Sequence, residues 1–138
     1  MVDKRELKTF DDKMIVGTVA VEHKVSQDDI NTVICGWIES GYSCLIASSV
    51  KNGFKDSAEY ETMFWSDWAT DKILNGDSLI VKDTEENETH ELTLEKLING
   101  IKLNATERSH DDFFNDNHDA ITYDCIMQYA IFGELIYG

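Results

Sequence analysis

The segment Asp119 to Gly138 carries apolar side chains on nearly every side of a helical wheel. A helix that is hydrophobic all round has no face to offer water, so it runs through a core or into an oligomer interface. Any fold for this chain must therefore wrap other elements around its C-terminal helix or share that helix with a second copy.

The remaining sequence supplies the wrapping. Ile30, Val33, Ile34, Trp37 and Ile38 recur at helical spacing. Ser26 followed by Asp29 approximates a capping box, Asp28 and Asp29 suit the positive end of a helix, and Gly41 offers a stop. Residues 57–74 read as a second helix, with Ser57 as cap and Tyr60, Met63, Phe64 and Trp68 on one side. Thr93 opens a third, with the stripe Leu94, Leu97, Ile98, Ile101; Gly100 weakens it by about 1 kcal/mol relative to Ala. Met14–Val21 is β-branched and reads as a strand, continuing toward Val25, and Tyr42–Val50 reads as another. Ser78–Asp83 and Glu88–Leu92 flank the acidic loop Thr84–Asn87, a hairpin pattern. The order β-α-β-α-β-β-α-α predicts an α+β fold: a small, mainly antiparallel four-stranded sheet packed with about four helices. A chain of 138 residues is about one domain, here 1–138, with 1–12 as a loose arm and 105–118 as a polar loop.

Charge narrows the function. The chain has 27 Asp plus Glu against 12 Lys plus Arg, and 12 − 27 = −15. Such a field repels nucleic acid and anionic membranes and attracts basic protein surfaces. With 42% hydrophobic residues, including Trp37, Trp65 and Trp68, the chain is not a disordered acidic tail. No apolar run approaches the roughly 20 residues that span a bilayer, and the first ten residues are mixed-charge with no signal core. The expectation is a cytoplasmic protein that binds neither membrane nor nucleic acid.

The acids cluster. Asp83 to Glu95 holds six and no base; Glu107 to Asp124 holds six against Arg108 alone. Charge runs are usually solvated faces. The functional alternative is one acidic surface that imitates a nucleic-acid backbone and docks on phosphate-holding Lys and Arg, with a steep salt dependence. Its binding residues would be Asp83, Glu85, Glu86, Glu88, Asp111, Asp112 and Asp116.

Metal and catalytic chemistry are thinner. The three cysteines are odd in number and widely spaced, which fits reduced thiols. Cys44, His110, His118 and Cys125 have the donor types for one structural zinc that would fasten the 109–118 loop. No C-x₂-C or H-x₃₋₅-H spacing supports it; the competing reading makes Cys35 and Cys125 small buried helix residues and the two histidines exposed. Asn115–Asp119 begins like a calcium loop, but Ala120 stands where the turn needs Gly and Ile126 where the ion needs Glu. Adjacent acid pairs such as Asp111/Asp112 diverge in direction, and no nucleophile elbow or phosphate loop is present. The chain reads as a non-enzyme with no catalytic residue. Trp65 and Trp68, three apart on a helix, are a binding platform or, more commonly, core.

The C-terminal half carries a resemblance. His90-Glu-Leu-Thr-Leu-Glu-Lys-Leu-Ile-Asn-Gly-Ile-Lys-Leu103, Asp124-Cys-Ile-Met-Gln-Tyr-Ala-Ile-Phe-Gly-Glu-Leu-Ile-Tyr-Gly138 and the junction Ile73-Leu-Asn-Gly-Asp-Ser-Leu-Ile80 resemble small acidic proteins encoded by phages and prophages of Gram-positive bacteria. The resemblance covers roughly residues 70–138, with a looser likeness over 26–50. It implies an inhibitor of host defence. The expectation is an anti-CRISPR protein that blocks type II-A Cas9 stoichiometrically, since that enzyme holds guide and target in positively charged channels. The alternative is a phage structural or assembly module that self-associates through the C-terminal helix. A small-molecule binder ranks last, since Arg5 and Arg108 are the only arginines and no basic pocket is visible.

Overall fold

The structure, a computed structural model, describes residues 11–52, 64–108, 113–114 and 118–138. Helix α1 (Gln27–Ser40) leads to strand β1 (Leu45–Val50), helix α2 (Trp65–Leu74), the hairpin β2 (Leu79–Asp83) and β3 (Glu88–Leu92), helix α3 (Leu94–Glu107) and helix α4 (Ala120–Phe132). The three strands form one antiparallel sheet in the order β1-β2-β3.

Helix α4 is the centre. It packs against α3, α1, β1 and β3, and Ile126 and Met127 are fully buried. Asp119 opens it, accepting hydrogen bonds from the amides of Ile121 and Thr122 while the Thr122 side chain returns a bond to the Asp119 amide. Most of its apolar surface is thus consumed within one chain, with Ile121 left partly exposed. The helix also stops short of the chain end. Gly133 adopts φ 76°, a left-handed conformation that costs glycine little. The chain then turns back, leaving Leu135 and Ile136 partly exposed.

The other helices behave as amphipathic sequences should. Ser26 and Asp29 complete the reciprocal cap of α1, at 3.1 and 2.9 Å, and Ile30, Val33, Ile34 and Trp37 are buried. Thr93 accepts from the Lys96 amide at the start of α3, burying Leu97 and Ile101 but leaving Ile98 at the rim. Trp68 is buried, with Trp65 edge-on to it at 6.3 Å, so this pair is core. Phe64 does not join them: it precedes α2 and is exposed. The start expected for this helix, residues 57–63, lies outside the described residues.

The sheet has one wet and one dry face. Leu45, Ala47, Val81, Leu79 and Leu92 point inward in register, while Ile46, Lys82, Ile80 and Glu91 point outward. Ser48 is the extra residue of a bulge between Ala47 and Ser49, and its hydroxyl donates to the Ile80 carbonyl.

The expected four-stranded sheet has three strands among the described residues. Met14–Val21 pairs with nothing among the described residues and lies open to solvent, with Val16 95% and Val19 90% exposed. β-propensity measures fit to a half-buried pleated surface, and a run that is apolar on both faces names no face to bury. The second strand also begins later than Tyr42, because the Ser43 hydroxyl bonds the Leu45 amide and Asp124 instead of a ladder. No helix among the described residues is long and apolar enough to cross a membrane.

Candidate functional site

The candidate surface is built at the hairpin end of the sheet. Asp83 closes β2 on the inward face and is 1% exposed. Its Oδ1 accepts from the amides of Glu85, at 2.9 Å, and Glu86, at 3.3 Å, shaping the four-residue turn. Asn87 takes φ 55° to complete the reversal. Thr84 ties the turn to the neighbouring strand: both its amide and its hydroxyl donate to the Cys44 carbonyl, at 3.0 and 2.8 Å.

The chain end braces this turn from behind. The Tyr137 hydroxyl donates to Asp83 Oδ2 at 2.6 Å. Tyr137 is itself held by Gln128, a buried amide in the middle of α4. Gln128 Oε1 accepts from the amides of Ile136 and Tyr137, and its Nε2 donates to the Tyr137 carbonyl and to Asp124 Oδ2. Asp124 accepts in turn from the Ser43 hydroxyl. One network therefore links α4, the C-terminal turn, β1 and the hairpin.

Glu85, Glu86 and Glu88 project outward from this braced turn and are exposed. Glu88 lies 3.9 Å from the His90 ring, while Lys51 is engaged by Glu91 at 2.9 Å. Asp83, expected to share their surface, is instead the buried support of the turn. Asp111, Asp112 and Asp116 lie outside the described residues, so the second acidic cluster is not placed against the first.

A cleft of about 290 Å³ beside the turn is lined by Tyr42, Cys44, Glu85, Asp124, Tyr137 and Gly138. Burial, then the carboxylates of Asp124, Asp83 and Glu85, push the Cys44 thiol up. That disfavours the thiolate, the nucleophilic form of the side chain. Cys125 is buried on α4, and His118 places Nδ1 2.6 Å from the Tyr123 hydroxyl with its ring against Phe113. His110 lies outside the described residues. Among the described residues no three His, Cys, Asp or Glu side chains gather to hold a metal ion.

The Asp83–Tyr137 pair sets a pH window. Burial alone would raise the Asp83 carboxyl, but the bonds from Tyr137 and from the Glu85 and Glu86 amides outweigh it and hold the group below its ordinary value. The Tyr137 hydroxyl is raised, chiefly because it donates to Asp83. A depressed carboxyl contributes stability above its unfolded pKa of about 3.9 and loses it as pH falls through the folded value. A raised phenol contributes below its unfolded pKa of about 10 and loses it as pH rises beyond. Tyr137→Phe should therefore lower Tm between about pH 5 and 9, with the deficit shrinking below about pH 4. A Tm deficit that is flat down to the lowest pH would mean that the hydroxyl acts independently of the Asp83 charge.

Sequence reading had singled out neither Gln128 nor Tyr137 nor Ser43. The available signal was Gln128 itself, a lone amide inside an otherwise apolar helix, which needs partners if buried. No known family model matches this chain, and no curated protein or solved structure matches it.

Proposed function

We propose that this protein is a non-catalytic binder that occupies a basic, phosphate-holding face of a nucleic-acid-handling protein in the bacterial cytoplasm. The observation that carries this reading is the turn bearing Glu85, Glu86 and Glu88, whose backbone is tied by Asp83 and Thr84, with Tyr137 holding the Asp83 carboxylate. Carboxylates held in advance lose less conformational freedom on binding than carboxylates on a loose tail. The net charge of −15 steers a basic partner toward the surface and makes association fall with salt. Type II-A Cas9 is the candidate target, on the resemblance of the C-terminal half to phage and prophage proteins and on that enzyme's basic channels.

The test is DNA cleavage by a streptococcal type II-A Cas9, with this protein added before or after guide RNA and before or after target DNA. The expected result is inhibition near one-to-one stoichiometry, lost when target is bound first. The triple variant Glu85→Lys, Glu86→Lys, Glu88→Lys should weaken inhibition about tenfold or more, because each reversal turns attraction into repulsion. Leaving Asp83 in place keeps the turn folded. Full cleavage at large excess removes Cas9 as the target, and unchanged inhibition by the triple variant removes these acids as the binding face.

A further inference from the structure

The segment Met14–Val21 is the chain's most conspicuous unused surface. It holds six apolar residues with Gly17 and Thr18, no charge and no proline. Ile15 is 82% exposed, and no hydrogen bond reaches the backbone of Ile15–Val21 among the described residues. Its root is fixed. The His23 ring stacks on Phe114 with centroids 4.4 Å apart, and Val25 packs on the core. Between that root and α3 runs an apolar groove of about 440 Å³. Ala20 and Val21 form one wall, and Ile98, Ile101, Ala105 and Phe114 line the rest.

Charge indicates what fills it. Residues 1–26 carry five Lys or Arg (Lys4, Arg5, Lys8, Lys13, Lys24) and five acids (Asp3, Glu6, Asp11, Asp12, Glu22), a net of zero, so the whole −15 resides on 27–138. Among the described residues no acid lines the groove, while Lys102 and His23 do. A segment of net zero charge against this groove adds little to the repulsion between two copies. The groove and a fitting occupant also sit side by side on one chain, the self-complementary arrangement of a twofold interface.

We propose that a second copy of this chain covers this surface: its Met14–Val21 lies antiparallel to the same segment of the first, forming a two-stranded ribbon whose inner side chains fill the groove over α3. The ribbon gives partners to the open backbone groups, and each copy donates the same segment and the same groove. The proposal is independent of the acidic turn and of its target.

The test is light scattering on the full chain across a concentration series. Wild type should approach twice the chain mass at about 100 μM and dissociate on dilution. Val19→Pro should be monomeric, because proline removes a ladder donor and does not fit a paired strand. Val19 makes no hydrogen bond in the monomer, so the domain should keep its circular dichroism and Tm. Ala105→Glu, which places a charge in the groove, should have the same effect. Association of the copies should strengthen several-fold from about 50 to about 500 mM salt, as screening relieves body-to-body repulsion, whereas docking on a basic partner weakens. A wild type that is monomeric at the highest concentration overturns the proposal. So does a dimer indifferent to both variants, or amide protection of residues 15–21 already present in the dilute monomer.

Discussion

Gln128→Ala should destabilise the protein by about 3 kcal/mol and lower Tm by roughly 10 °C, read from urea and thermal melts. Gln128 is 1% exposed, and its one amide serves four partners: the Ile136 and Tyr137 amides, the Tyr137 carbonyl and Asp124. Removing it leaves those groups without their partner and opens a cavity against the C-terminal turn. Leaving a buried donor or acceptor unpaired costs about 1–3 kcal/mol, more than the net worth of a hydrogen bond. Gln128→Leu refills the volume without the bonds and separates the two causes. Full recovery by Leu would assign the loss to packing and refute the network. The effect should also reach the acidic turn, since releasing Tyr137 withdraws its bond to Asp83. Gln128→Ala should therefore weaken partner binding under conditions where the domain is still folded.

Gly100→Ala should destabilise by about 2 kcal/mol, opposite in sign to what helix propensity alone requires. In an isolated helix the change gains about 1 kcal/mol. Here α3 and α4 cross at this residue, and a Cβ would stand 2.5 Å from the Ile126 carbonyl oxygen, 2.8 Å from Ala130 Cβ and 3.0 Å from the Ala130 amide nitrogen. Two of those three atoms are backbone and cannot swing aside, so the helices must separate, and overpacking of this kind costs about 1–3 kcal/mol or more. Ala130→Gly in the same chain should restore only part of the loss, because it removes the Cβ contact and leaves both backbone contacts. A stabilised Gly100→Ala would show that the crossing is looser than the distances require.

Elements with a local cause were legible before folding. The α1 cap needed only Ser26 and Asp29 at the right spacing, and the β2–β3 hairpin needed only two short strands around an acidic four-residue loop. The burial of α4 followed from its having no polar face. The errors share a different cause. Met14–Val21 has the composition of a strand, but a strand exists only beside a partner, and neither outer edge of the β1-β2-β3 sheet pairs with it among the described residues. Asp83 is one of six acids in its run and indistinguishable from Glu85 by composition. Its alternation with Leu79 and Val81 puts it on the dry face, where Tyr137, 54 positions away, satisfies it.

By itself, then, the sequence determined the caps of α1 and α3, the hairpin, the α+β class and the −15 field, because caps, periodicity and charge act over a few residues or over the whole chain at once. Only the tertiary structure decided which acid supports the turn and which three face outward, why Gly100 must lack a side chain, and that Gln128 anchors the chain end. Those outcomes depend on groups distant in sequence meeting at ångström precision, and no local pattern records such a meeting.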